Sequence, residues 1–124
     1  MPINDERMCA EVSKASDRYE AALLVNDLAV LDELFWKDGR VERVNASDEQ
    51  VGIDTIRAFR AARPLRGLAR ERLARRIVCF GTHSATVNIV FRRSVDGRIG
   101  RQSQTWVRFG TDWRIVFAHI SYRE

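Results

Sequence analysis

Apolar positions recur at two different periods along this chain, and the change of period divides it in two. From Glu6 to Asn26 the residues Cys9, Val12, Ala15 or Ser16, Tyr19 and Leu23 repeat at helical spacing. Asn26 or Asp27 can cap a second helix whose buried stripe is Leu28, Leu31, Leu34 and Phe35. Asp38-Gly39 ends it, and Arg40 to Asn45 predicts a short strand followed by a polar loop, Ala46 to Gln50. A third helix begins near Ile53, places Ile53, Ile56, Phe59 and Arg60 on related faces, and closes at Pro64.

Beyond Pro64 the period shortens to two. Ala85, Val87, Ile89 and Phe91 share one face of a strand against Thr86, Asn88 and Val90. Asp96-Gly97 and Gly110-Thr111-Asp112 are hairpin signals. Leu68 to Phe80 is ambiguous by composition, and its place before two hairpins assigns it to strand. Helices followed by an antiparallel meander give an α+β fold, with the helices on one face of the sheet. In the last strand Trp113, Ile115, Phe117, His119 and Ser121 fall on one side, and Val116, Ala118 and Ile120 on the other. Both sides are largely apolar, so a homodimer covering the outer sheet face is expected.

At 124 residues the chain is read as one domain, residues 1–124, with 45% hydrophobic residues to build a core. No run approaches the about 20 apolar residues of a membrane span, and MPINDERMCAE lacks the basic and apolar blocks of a secretory signal. Cys9 and Cys79 read as free thiols in a reducing cytoplasm. The net charge of +4 comes largely from arginines scattered through Arg57 to Arg76 and Arg92 to Arg114. With 17 acidic residues and no nucleic-acid motif, a solvated surface with one or two interior anion-binding arginines is favoured over nucleic-acid binding.

The candidate chemistry lies in the polar residues that interrupt apolar faces. Tyr19 sits on the stripe of the first helix, where it serves either as a core tyrosine with one hydrogen bond or as a proton donor at the base of a pocket. Arg43 is either a surface partner of Glu42 or Asp48 or a carboxylate clamp, with Asp48 and Glu49 shaping a lid or holding it in place. Gln102, Gln104 and Trp106 share one face of the QSQTW strand, Ser103 and Thr105 the other. Gln104, Trp106, His119 and Ser121 are expected to orient a small anionic ligand. No spacing links His119 to His83 as metal ligands, and the glycines of GRIG suit a turn better than a phosphate, so neither metal nor cofactor is expected.

Four runs carry a family resemblance: LFW at Leu34 to Trp36, GIDTIRAFRAARP at Gly52 to Pro64, GRIGRQSQTW at Gly97 to Trp106 and WRIVFAHIS at Trp113 to Ser121. Together they resemble the AtzH-like family of the NTF2-like (SnoaL-like, cystatin-like) superfamily. The resemblance implies a cone of N-terminal helices on a curved antiparallel sheet, a cytoplasmic homodimer and a pocket between sheet and helices. It also implies a metal-independent decarboxylating amidohydrolase acting on a carboxylated urea such as 1,3-dicarboxyurea, with its functional tyrosine and arginine at Tyr19 and Arg43. The alternatives are a noncatalytic small-carboxylate binding or accessory protein and, third, a SnoaL-like isomerase or dehydratase. The family pattern RxGxxENxYG reads RVNASDEQVG here, so Asn45 stands for glycine, Asp48 for glutamate and Val51 for an aromatic, and these departures are expected to alter the pocket wall. Thr82 and His83 depart from the family pattern too.

Overall fold

The computed structural model describes residues 1–124. Asp5 starts the first helix, α1 (Glu6–Val25), by accepting a bond from the Met8 amide at 3.1 Å. Met8, Val12, Ser16, Tyr19, Ala22 and Leu23 form its buried stripe. Asn26 stops it in a left-handed conformation, φ 51°, and Asp27 then caps α2 (Leu28–Leu34) through Val30 N. A short hairpin, β1 (Glu42–Val44) and β2 (Glu49–Val51), leads into α3 (Ile53–Ala62), which ends two residues before Pro64. Four long strands follow: β3 (Arg70–Phe80), β4 (Ser84–Arg93), β5 (Ile99–Phe109) and β6 (Asp112–Tyr122).

The six strands form one sheet in the order β2-β1-β6-β5-β4-β3, so the chain returns to add the first hairpin beside its last strand. That β1–β6 pair is parallel, which makes the sheet mixed where antiparallel pairing throughout was expected. The segment read as polar loop, Ala46 to Gln50, contributes Glu49 and Gln50 to β2. Arg43 and Gln50 are thereby directly opposed across the hairpin. One face of the sheet carries Ala85, Val87, Ile89 and Phe91 of β4, as the alternation predicted, and packs with the helices into a core of 21 buried hydrophobic residues.

A single irregularity decides what β6 presents to that core. Trp106 opposes Ile115 while its neighbour Thr105 opposes Phe117, so Val116 is an extra residue, a β-bulge. Strict alternation from Trp113 puts Phe117, His119 and Ser121 inside. The bulge reverses the phase: Trp113 and Ile115 are buried, then Ala118 and Ile120, while His119 and Ser121 are exposed. The outer face carries a polar centre, with the Ser103 hydroxyl donating to Asn88 Oδ1 at 2.6 Å, beside half-buried Val107, Val116 and Phe117.

Candidate active site

Tyr19 is the centre of the interior polar cluster. The side chain is 1% exposed, and its hydroxyl oxygen accepts a hydrogen bond from Gln102 Nε2 at 2.9 Å. Gln102 Oε1 in turn accepts from Arg70 Nη2 at 2.8 Å. A second chain of the same kind runs in from the hairpin. Arg43 Nη1 donates to Gln50 Oε1 at 3.0 Å, and Gln50 Nε2 donates to Asp48 Oδ2 at 2.9 Å. Asp48 is itself exposed, and the turn around it is tied by Asn45, whose Oδ1 accepts from the Ser47 amide.

Arginines surround the phenol, and none of them meets a carboxylate. Arg43 and Arg63 both lie over the Phe59 ring, at 4.6 and 5.5 Å from its centroid. Arg60 lies over Phe35 at 4.1 Å, and Arg70 over Phe91 at 4.3 Å. Arg63 donates to Asn26 Oδ1 at 3.1 Å. Arg60 is 3% exposed, and both its Nη1 and Nη2 lack any hydrogen-bond partner. Unpaired buried donors of this kind are rare and costly.

Burial pushes all four guanidiniums below their ordinary range, with Arg60 lowered to about 10. Burial alone would raise the Tyr19 phenol. Arg70, Arg43 and Arg60, with the Gln102 bond, outweigh it and hold the phenol below 10.0. A phenol held this way gives up its proton more readily, and the phenolate left behind is stabilised where it stands.

A cavity of about 200 Å³ opens beside this cluster, between the α3–β3 connection and strands β4 and β6. Arg63, Arg66, Arg70, Arg93 and Tyr122 line it, with Leu23 at its inner side and no carboxylate among its walls. Arg63 and Arg70 belong to both the cavity wall and the interior cluster. Nowhere do three His, Cys, Asp or Glu side chains converge as a metal would require.

Arg43 lies near enough to Tyr19 for its charge to lower the phenol, and Asp48 acts on Arg43 through Gln50. Gln104 and Trp106 are buried on the same strand face, where Trp106 Nε1 donates to Gln104 Oε1 at 3.1 Å and Gln104 Nε2 is unpartnered. His119 and Ser121 do not belong to the site, because the Val116 bulge turns them outward. Val51 is 53% exposed and so forms no part of the pocket wall. Thr82 and His83 lie in the exposed β3–β4 turn, bonded to each other. Sequence reasoning missed Gln50, Arg60, Arg63 and Arg70 as site residues. The helical spacing of Arg60 with Ile53 and Ile56 was the one available signal.

The helix-on-curved-sheet architecture is the NTF2-like, cystatin-like fold. It aligns over 95% of this chain with an NTF2-like superfamily protein from Salmonella enterica, over 92% of that chain, at TM-score 0.78 and 20% identity. A family model for AtzH-like proteins matches residues 1–124, and the chain belongs to the AtzH-like family. A protein of unknown function from Pectobacterium atrosepticum, of the DUF3225 family, is 45% identical at TM-score 0.94, covering 98% of this chain and 95% of that one. A cystatin-like fold protein from Burkholderia xenovorans is 34% identical at TM-score 0.93, covering 98% and 96%. Comparison with curated proteins finds no match.

Proposed function

We propose that the protein is a metal-independent decarboxylating amidohydrolase for a small carboxylated urea, with Tyr19 as proton donor and Arg43 as carboxylate clamp. The observation that carries this reading is the buried phenol ringed by guanidiniums that have no carboxylate partner. Such a surplus of interior positive charge is matched by a compact ligand bearing one or two carboxylates. Arg43, held by Gln50, fixes one carboxylate. The bond from the urea nitrogen to the carboxyl carbon then breaks, its electron pair stays on nitrogen, and the Tyr19 proton is transferred there. Carbon dioxide leaves, and the phenolate regains its proton from a water that enters as the product departs. A placed general acid contributes typically about 10²- to 10⁴-fold.

The test is release of carbon dioxide from 1,3-dicarboxyurea generated in situ, against the uncatalysed rate. Tyr19→Phe should abolish the acceleration and leave binding largely intact, whereas Arg43→Ala should weaken dianionic ligands far more than neutral ones. If both variants turn over like the parent, the proposal fails. One observation favours the second reading, a small-carboxylate binding protein: the Tyr19 hydroxyl is sealed from solvent and already bonded to Gln102. That reading predicts saturable binding without product.

The assembly we propose is a homodimer in the cytoplasm, with a second copy covering the outer sheet face around Val107, Val116 and Phe117. Phe117→Glu should then shift sedimentation toward monomer, and a parent that sediments as a monomer, or a folded variant that still sediments as a dimer, would refute it. No helix is long and apolar enough to cross a membrane.

A further inference from the structure

The two glutamines of the site are held at their outer ends by groups of opposite charge. Asp48 accepts from the Gln50 amide nitrogen, which leaves the Gln50 oxygen facing Arg43. Arg70 donates to the Gln102 oxygen, which leaves the Gln102 nitrogen facing Tyr19. An amide is nearly symmetric in shape, so which end points inward is decided by what the other end meets. A carboxylate only accepts and a guanidinium only donates. Each charged group therefore sets the polarity of a bond two side chains away.

For Tyr19 the consequence concerns its proton. The phenolic oxygen receives a donor from Gln102, so its own hydrogen cannot go there. The other charged groups whose fields reach the phenol are Arg43 from β1, Arg60 from α3, Arg63 just beyond it and Arg70 from β3, and none of them accepts. Glu20, the next residue of α1, is engaged by Arg72 at 2.8 Å. Tyr122 of β6 faces Arg43 and Arg70. Tyr19 donates to no group of the protein.

We infer that Arg70 and Gln102 are positioning residues that reserve the Tyr19 proton for the ligand, by forcing the amide to present its N–H rather than its oxygen to the phenol. This rests on the proposed role of Tyr19 as proton donor, but its test needs no substrate. Gln102→Glu keeps the side-chain shape and puts an acceptor against Tyr19, so the bond reverses and the phenol spends its proton inside the protein. Gln102→Leu removes the donor and supplies no acceptor.

The measurement is the ionisation of Tyr19 by near-ultraviolet phenolate absorbance in the full chain. A Tyr122→Phe background leaves Tyr19 as the only tyrosine, since the sequence has two. In that background Gln102→Glu should move the Tyr19 titration upward by about one pH unit or more, a tenfold tighter hold on the proton. Gln102→Leu should move it upward by less, and it decides the matter should the Glu variant not fold. A Tyr19 titration unchanged in either folded variant overturns the inference. Shifted titrations with no carbon dioxide release in the parent would sink the proposed reaction and leave the relay standing. Catalysis by the parent with unshifted titrations would do the reverse.

Discussion

Two populations of arginine lie within one small sheet-and-helix body, and they are treated in opposite ways. Along the α1–β3 rim, Arg72 donates to Glu20 at 2.8 Å, and Arg75 to Asp17 at 2.6 Å and to the hydroxyls of Ser13 and Ser16. Arg57 grips Asp32 with two bonds, at 2.5 and 3.1 Å. Inside, Arg43, Arg60, Arg63 and Arg70 have amides and aromatic faces for partners and no acid. Rim pairs in solvent contribute little to stability. Interior cations without counter-ions cost stability, and a protein keeps such a cost where binding needs it. The contrast separates guanidiniums committed to acids of the fold from those that, on the proposed reading, are available to an anion.

The most damaging way to test that contrast is to disturb an aromatic seat. Gly100 lies opposite Phe91, and a Cβ there would stand 2.3 Å from Phe91 Cζ. Gly100→Ala should displace the ring that carries Arg70 and lower stability by about 3 kcal/mol, measured by urea unfolding. A loss below about 0.5 kcal/mol would show that the Phe91 seat is not needed.

The next effect has the opposite sign. Arg60→Met removes an unpartnered cation and should raise stability by about 2 kcal/mol while weakening binding of a dicarboxylate, read by thermal unfolding and calorimetry. Because burial lowers the folded-state pKa of Arg60 to about 10, below the ordinary guanidinium value it has when unfolded, its cost is fully present below pH 10. That cost is relieved as pH rises from there toward the ordinary guanidinium pKa. The stability gap between parent and Arg60→Met should therefore hold up to about pH 9 and be smaller at about pH 11, and an equal gap at both would count against a buried charge at this position. The smallest effect belongs to the rim: Arg72→Met should change stability by no more than about 0.5 kcal/mol and leave anion binding alone.

Much of this was legible in the chain itself. Helical spacing placed Tyr19 on a buried face, alternation placed Ala85 to Phe91, and Asp27 and Pro64 marked real boundaries. Both the residue pattern and the family resemblance singled out Tyr19 and Arg43, and both side chains are buried. What stayed hidden has physical causes. Period-two reasoning assumes an unbroken ladder, so the Val116 bulge reversed His119 and Ser121 without any local signal in their own identities. Arg60, Arg63 and Arg70 looked like the other arginines because pairing is a property of neighbours distant in sequence. The polarity of Gln102 depends on Arg70, 32 residues away in sequence. GRIG held two unlike glycines: Gly97, at φ 72°, serves its turn, while Gly100 makes room for a ring.

The extra residue at Val116 also works as a selector. Everything after it in β6 is offset by one place, so removing that residue would exchange the two faces of the strand's final turn toward the C-terminus. Ala118 and Ile120 would move out to water, and an imidazole and a hydroxyl would enter the hollow beside the phenol. A relative that differs from this protein by one codon there would have a different set of interior polar groups on the same scaffold.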